Sequence, residues 1–203
     1  MRLGQLLPGA RSAILIGSGG REFFDRFVAE TLPGDGAPNP LDRFTRETIE
    51  RIVRETLARS RVGQRVLFPF RVESDTEVIP FQRLGRAAGL GAPGPLGLQI
   101  HPEYGPWWAY RALLVLDEEA PPVAPVGDGC DGCDAPCVEA CPAHAVQVTG
   151  FIVDACHARR LTAPACHLSC AARIRCVRGP QHRYSEGQLA FFMAASMPLT
   201  RVR

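Results

Sequence analysis

Lysine is absent from the 203 residues, so all 23 basic side chains are arginine. That absence excludes a Walker A phosphate loop, whose lysine reaches the terminal phosphates, and any reaction that runs through a Schiff-base lysine. Long apolar runs are absent as well. The most apolar early stretch, Ala13 to Ile16, is far shorter than a signal-peptide core or the roughly 20 residues of a membrane helix, so a soluble, cytoplasmic protein with no membrane partner is expected. Neither sign of charge dominates: 21 acidic residues against 23 basic leave a formal charge of +2, which gives no ground for expecting a nucleic-acid partner. Cysteine is missing from the first 129 residues.

What is present is correspondingly concentrated. All eight cysteines fall between Cys130 and Cys176, and 46% hydrophobic residues suffice for an ordinary core. In a reducing compartment such a cluster points to metal ligands rather than a disulfide framework.

Periodicity and turn chemistry outline the elements. Ser12 to Ile16 reads as a buried strand, Gly17-Ser18-Gly19-Gly20 as a strand-to-helix turn, and Glu22 to Leu32 as an amphipathic helix. The glycines do not make a dinucleotide loop, since Glu22 stands where GxGxxG needs glycine. After a Gly/Pro loop from Pro33, Asn39 occupies an N-cap position and Pro40 the first helical one. Leu41, Phe44, Ile49, Ile52, Val53 and Leu57 then form an apolar helical stripe.

Gln64 to Phe68 reads as a strand and Phe81 to Ala88 as a short helix. Leu96 to Ile100 and Trp107 to Leu116 read as a hairpin around the turn His101 to Pro106. Pro121, Pro122 and Pro125 mark a linker. Asp117, Glu118, Glu119, Asp128, Asp131, Asp134 and Glu139 make an acidic stretch before Cys141, read as a solvated face. Ser185 and Gln188 have the spacing of a capping box opening a helix that runs to about Ser196.

Cys130-x2-Cys133-x3-Cys137-x3-Cys141-Pro142 is close to the ferredoxin run C-x2-C-x2-C-x3-C-P, in which three thiolates wrap one 4Fe–4S cube and the fourth reaches a second. Cys156, Cys166, Cys170 and Cys176 complete two four-thiolate sets with none left over. Two structural zinc sites use the same count of thiolates. The Cys-Pro pair, the small residues Ala140, Ala143 and Ala145, and the dense packing of the run favour iron–sulfur. With two sites already closed by cysteine, His144, His157 and His167 read as surface residues or as partners of ligands.

The order of these cysteines resembles that of epoxyqueuosine reductases, down to a lone Cys156 within Val153-Asp154-Ala155-Cys156-His157-Ala158-Arg159-Arg160. The resemblance implies that Cys130, Cys133, Cys137 and Cys176 hold one cluster and Cys141, Cys156, Cys166 and Cys170 the other. The flanking chain is similar to cblC-type cobalamin-processing proteins. Ile100-His101-Pro102-Glu103-Tyr104-Gly105-Pro106-Trp107-Trp108 matches their I-H-P-x-F/Y-G-x-W motif, and Asn39-Pro40-Leu41-Asp42 and Arg183-Tyr184-Ser185-Glu186-Gly187-Gln188 match further segments in the same order.

Both families, with the reductive dehalogenases, share a cobalamin-binding fold related to flavin nitroreductases. The implied fold class is therefore α/β (α+β): a nitroreductase-like, cblC-like layered domain with a mostly antiparallel sheet, interrupted by a ferredoxin-like module. The expected domains are a body over 1–126, a cysteine-rich module over 127–178 and a C-terminal helix over 179–203 that returns to the body.

The resemblance implies two 4Fe–4S clusters and a cobalamin, with flavin as the alternative, and a corrinoid site drawn from His101, Pro102, Tyr104, Gly105, Trp107 and Trp108. The bland alternative is that His101 caps its turn and the tryptophans pack a core. The expected function is electron transfer from the clusters to a bound corrinoid, as an oxidoreductase that removes an upper axial ligand or reduces a substrate. A redox protein would serve as donor, and the protein would be a homodimer if related folds are a guide. No counterpart of the epoxyqueuosine reductases' catalytic acid or helical-repeat extension is found, which argues against queuosine chemistry as the specific activity. A ferredoxin-like carrier without corrinoid and a zinc-stabilised interaction module are the two readings from other classes.

Overall fold

The computed structural model describes residues 8–31, 39–59, 62–70, 79–121 and 129–196. Residues 33–38 of the Gly/Pro loop, Pro122 and Pro125 of the expected linker, and Asp128 of the acidic stretch lie outside the described residues. The chain divides into two compact units: Met1–Ser18, Phe23–Ala88 and Ala109–Pro125 form the first, and Gly19–Glu22, Gly89–Trp108 and Val126–Arg203 the second.

The first unit is built on a sheet of order β1-β5-β2, with β1 at Ser12–Gly19, β2 at Gln64–Leu67 and β5 at Trp108–Leu116. Strand β2 pairs antiparallel to β5, from Gln64 opposite Leu116 to Leu67 opposite Leu113. β5 is the central strand, and Arg111 to Val115 along it are buried without interruption, the pattern of a strand covered on both faces.

Side chains alternate between those faces. Leu113 and Val115 pack with Leu67 and with Phe81 of α3 (Phe81–Ala87), while Ala112 and Leu114 pack with Ile49 and Val53 of α2 (Pro40–Leu57). Helix α1 (Glu22–Glu30) lays Phe23 and Phe27 against Phe44 of α2, at ring separations of 5.4 and 5.7 Å. In α3, Gly85 lies directly under the Tyr110 hydroxyl, so a side chain there would displace the Tyr110 ring.

Helix α2 starts as its sequence predicts, at Pro40, but Asn39 does not cap it with its side chain. Asn39 takes the left-handed conformation at φ 52°, and its backbone carbonyl accepts from the amides of Asp42 and Arg43. The acidic stretch is partly engaged: Glu119 pairs with Arg11, and Asp117 accepts from the Gly63 amide at 2.8 Å. Both partners of the Arg11–Glu119 pair are exposed, so the pair adds little stability.

The expected hairpin is corrected. Gln99–Ile100 (β4) pairs with Ala92–Pro93 (β3), not with the strand that begins at Trp108. The reason is local. His101 and Gly105 exchange backbone hydrogen bonds of 2.9 Å, Gly105 turns at φ 58°, and the Trp107 amide bonds back to Tyr104, so the chain reverses within five residues and leaves β5 free to join the larger sheet.

The second unit carries β3 and β4, the cysteine-rich segment and the last helix. Its cysteine-rich segment folds into short pieces: α4 (Pro136–Glu139), the β6–β7 hairpin (Val146–Gln147 and Gly150–Phe151), α5 (Val153–Thr162), α6 (Pro164–Leu168) and α7 (Ala171–Ile174). Helix α8 (Glu186–Ala195) is capped at Ser185, whose hydroxyl accepts from the Gln188 amide at 3.1 Å. The reciprocal half of the capping box is not made; the Gln188 amide side chain donates to the Gly20 carbonyl at 3.1 Å. Among the described residues no helix is long and apolar enough to cross a membrane.

Candidate functional site

The cysteines form the heart of the second unit. Cys137, Cys141 and Cys176 are buried with Leu96, Ile100, Ala145, Val146 and Ala172, and the other thiols that pack on this core include Cys130, Cys156 and Cys170.

The cysteines line two cavities. One, of about 30 Å³, is walled by Cys130, Cys133, Cys137 and Cys176 together with Leu96 and Ile100. The other, also about 30 Å³, is walled by Cys141, Cys156, Cys166 and Cys170, with Arg160 and Met193. No cysteine is shared between them and none is left over. Among the described residues no three potential ligands converge on a single metal-ion position.

The cysteines are presented by tight local structure. Ala135 is left-handed at φ 51° and its amide donates to Cys133 Sγ at 3.4 Å, turning the chain into α4 and Cys137. Cys170 Sγ caps α7 by accepting from the Arg173 amide at 3.4 Å. Such amide–sulfur bonds stabilise thiolate charge and act on the potential of a cluster held there. Burial pushes the Cys137, Cys156, Cys170 and Cys176 thiols up, with neighbouring thiols adding to the shift at Cys137 and Cys156. Deprotonated thiolates in this core therefore call for a compensating cation.

Glycine sets the closeness of the first cavity's wall. A side chain on Gly94 would meet Ile100 Cγ1 at 2.6 Å and Cys130 Sγ at 3.1 Å, and one on Gly129 would meet Ile100 Cγ2 at 2.7 Å. Ile100, 1% exposed, is thus clasped between two glycines beside Cys130.

The motif residues that follow Ile100 divide by depth. Gly105 and Trp107 are buried; His101, Tyr104 and Trp108 are partly exposed and Pro102 is exposed. Trp107 packs with Tyr184 and Leu189, and Arg173 lies over both rings, 5.0 Å from the Trp107 centroid and 4.7 Å from that of Tyr184. Arg173 also donates to the Pro106 carbonyl, so an arginine of the cysteine-rich segment ties down the motif.

His101 Nδ1 accepts from the amides of Glu103 and Tyr104 at 3.1 and 3.2 Å, which makes it the clamp of its own turn. Its ring stands 5.0 Å from those of Tyr104 and Trp108, and the Trp108 indole donates to the Gln99 carbonyl at 2.9 Å. Burial lowers the His101 pKa below the ordinary 6.5, opposed by Glu103 and reinforced by His182. His144 is exposed at φ 51°, and neither His157 nor His167 lines a cysteine cavity.

Sequence reasoning missed Arg160. It is 6% exposed, four residues after Cys156 on α5, and its guanidinium donates to the Met193 carbonyl and to Ser196 Oγ on or just after α8. The sequence signals were its place in the segment around Cys156 and its i+4 spacing from that cysteine, and neither distinguishes a buried arginine from one on a solvated helix face.

No protein-family model matches the chain, and no curated protein matches it significantly. Solved structures do share its fold. An epoxyqueuosine reductase from Streptococcus thermophilus superposes with a TM-score of 0.58 at 18% identity, over 87% of this chain and 51% of that one. A second, solved with an epoxyqueuosine-modified tRNA-Tyr stem loop, gives 0.60 at 15% identity, over 92% of this chain and 54% of its own.

The B12-trafficking protein CblC of C. elegans gives 0.55 at 17% identity, over 89% of this chain and 73% of its own. The fold is therefore the mixed helix and antiparallel-sheet architecture that epoxyqueuosine reductases and CblC have in common. The chain spans about half the length of the epoxyqueuosine reductases it resembles.

Proposed function

We propose that the chain is an iron–sulfur protein that carries two 4Fe–4S clusters and delivers their electrons to a corrinoid, as a cobalamin-dependent or cobalamin-processing oxidoreductase. The observation that carries this reading is the separation of eight cysteines into two cavities of four. Four thiolates suit a zinc ion or a cube alike; the Cys141-Pro142 pair and the dense run from Cys130 to Cys141 support the cube. The separation also supports the ligand sets Cys130, Cys133, Cys137, Cys176 and Cys141, Cys156, Cys166, Cys170.

The clusters would supply one-electron transfers, and the corrinoid would supply a reducible cobalt. The protein's own residues do the rest. Leu96, Ile100, Ala145, Val146 and Ala172 keep water from the cysteine core, which holds a cluster's potential through burial. The amides of Ala135 and Arg173 bond to sulfur.

For the corrinoid, a broad and mostly apolar ligand, the partly exposed rings of His101, Tyr104 and Trp108, with Pro102 beside them, offer contact surface, while Gly105 and Trp107 hold that surface from below. His101 Nδ1 is engaged in the turn, so any bond from this residue to a corrinoid uses Nε2. The likeness in fold to a B12-trafficking protein supports cobalamin over flavin. A redox protein of low potential is the electron donor this function requires.

The test is titration of the anaerobically reconstituted protein with hydroxocobalamin, followed by absorption. A shifted corrin spectrum that becomes that of reduced cobalt on adding dithionite supports the reading. Cluster absorption with an unshifted corrin spectrum makes the protein an electron carrier, and saturable binding of flavin in its place reassigns the pocket.

A further inference from the structure

We infer that Arg160 sets the reduction potential of one cluster selectively, the one held by Cys141, Cys156, Cys166 and Cys170, through its buried positive charge, which no carboxylate among the described residues neutralises; this rests on the two-cluster reading above. Four observations meet at this residue. Arg160 lines the cavity of that set and not the other. It is 6% exposed, so solvent screens its charge poorly.

Its guanidinium is held by neutral acceptors only, the Met193 carbonyl and Ser196 Oγ, and no carboxylate pairs with it among the described residues. Its Nε–H is buried without a partner among the described residues. A buried guanidinium with a spare donor and no counter-ion is costly on its own. Beside four thiolates and a cluster the cost is reversed, because the net anionic site supplies the missing counter-charge.

The electron balance is simple. A four-thiolate cube takes up one electron from a one-electron reductant, its net charge becomes one unit more negative, and no bond or proton moves. A fixed cation close by stabilises the reduced form more than the oxidised one, so the potential rises. Around the other set, Arg178, which lines that cavity, donates to the Asp131 carbonyl and Arg183 to the Cys176 carbonyl; their Nε–H groups also lack a partner among the described residues, but both side chains are more exposed than Arg160 and better screened by solvent. Removing the Arg160 charge should therefore act on one couple and spare the other.

The experiment is an EPR-monitored redox titration, with dithionite, of anaerobically reconstituted wild type, Arg160→Gln and Arg160→Lys, each checked for iron content. In wild type two one-electron steps are expected. In Arg160→Gln one step falls by about 59 mV, a tenfold loss of reduced over oxidised cluster at fixed potential, and the other stays in place.

Arg160→Lys keeps its potential near that of wild type, since charge is retained and the guanidinium geometry is not. Two unmoved steps, or two steps that move together, in a fully loaded Arg160→Gln protein overturn the inference while leaving the two-cluster reading intact. If Arg160→Gln does not assemble, Arg160→Lys decides: a tenfold fall there shows that hydrogen bonding, not charge, is what matters. Wild-type protein without cluster signals overturns both this inference and the reading it rests on.

Discussion

Gly105 lies directly against the carbonyl group of Arg178, so closely that a side chain at this position would overlap it, and it does so at φ 58°. Two residues before Arg178 stands Cys176, and Gly179 in turn packs on the backbone of Tyr104. The turn of the His101–Trp108 motif and the segment leaving the last cysteine thus meet backbone to backbone, through glycine on each side.

Gly105→Ala should then do two kinds of damage. A left-handed alanine and a backbone overlap together cost about 2–4 kcal/mol. Because the displaced segment carries Cys176, iron content should drop along with the melting temperature, which metal analysis and thermal unfolding read side by side. An iron content equal to that of wild type would show that the turn does not position Cys176.

His101 gives a pH prediction with a definite sign. Its Nδ1 must be unprotonated to accept from the amides of Glu103 and Tyr104, and burial depresses its folded-state pKa below 6.5. The unfolded chain therefore binds the proton first as pH falls. Stability is fully present above about pH 6.5 and is lost as pH falls from there to the lower folded-state value, after which this residue adds no further slope. Melting temperature measured between pH 7.5 and 5 should show that decline in wild type, and His101→Asn, which keeps an acceptor without the titration, should flatten it.

Removal of iron should loosen the second unit and leave the first in place. Cys137, Cys141 and Cys176 belong to the buried core of the second unit, whereas the cores around Leu113 and Ala112 contain no cysteine. Hydrogen exchange on chelator-treated protein should accelerate across 129–182 and stay slow in β5 and α2. Uniform acceleration would mean that the first unit has no stability of its own without the clusters.

The two ligand sets can be separated chemically. Cys133→Ser and Cys166→Ser each remove one wall residue from a different cavity. Each variant should lose one EPR-active cluster and keep the other, and iron should fall to roughly half. Loss of both clusters in either variant would show that the sites are coupled in assembly.

Much of this was legible in the sequence, for reasons that can be named. The starts of α2 and α8 follow from Pro40 and from the Ser185–Gln188 spacing, because caps and first-turn prolines act within a few residues. The cysteine pattern is likewise local up to Cys141.

The pairing of β4 was not legible. Gln99–Ile100 and Trp108–Leu116 both have strand character, and only the tight His101–Gly105 turn decides that they do not form one hairpin. Nor was the burial of Trp107 under Arg173, which depends on residues 66 positions apart in the chain meeting in the fold. Arg160 was hidden for the same reason: its burial comes from α8, and nothing within α5 announces it.

Metal and sulfide analysis of anaerobically purified, reconstituted protein tests the central claim most directly. The account predicts about eight iron and eight acid-labile sulfide per chain, in brown protein with negligible zinc. About two zinc ions per chain, with colourless protein and no sulfide, would contradict it.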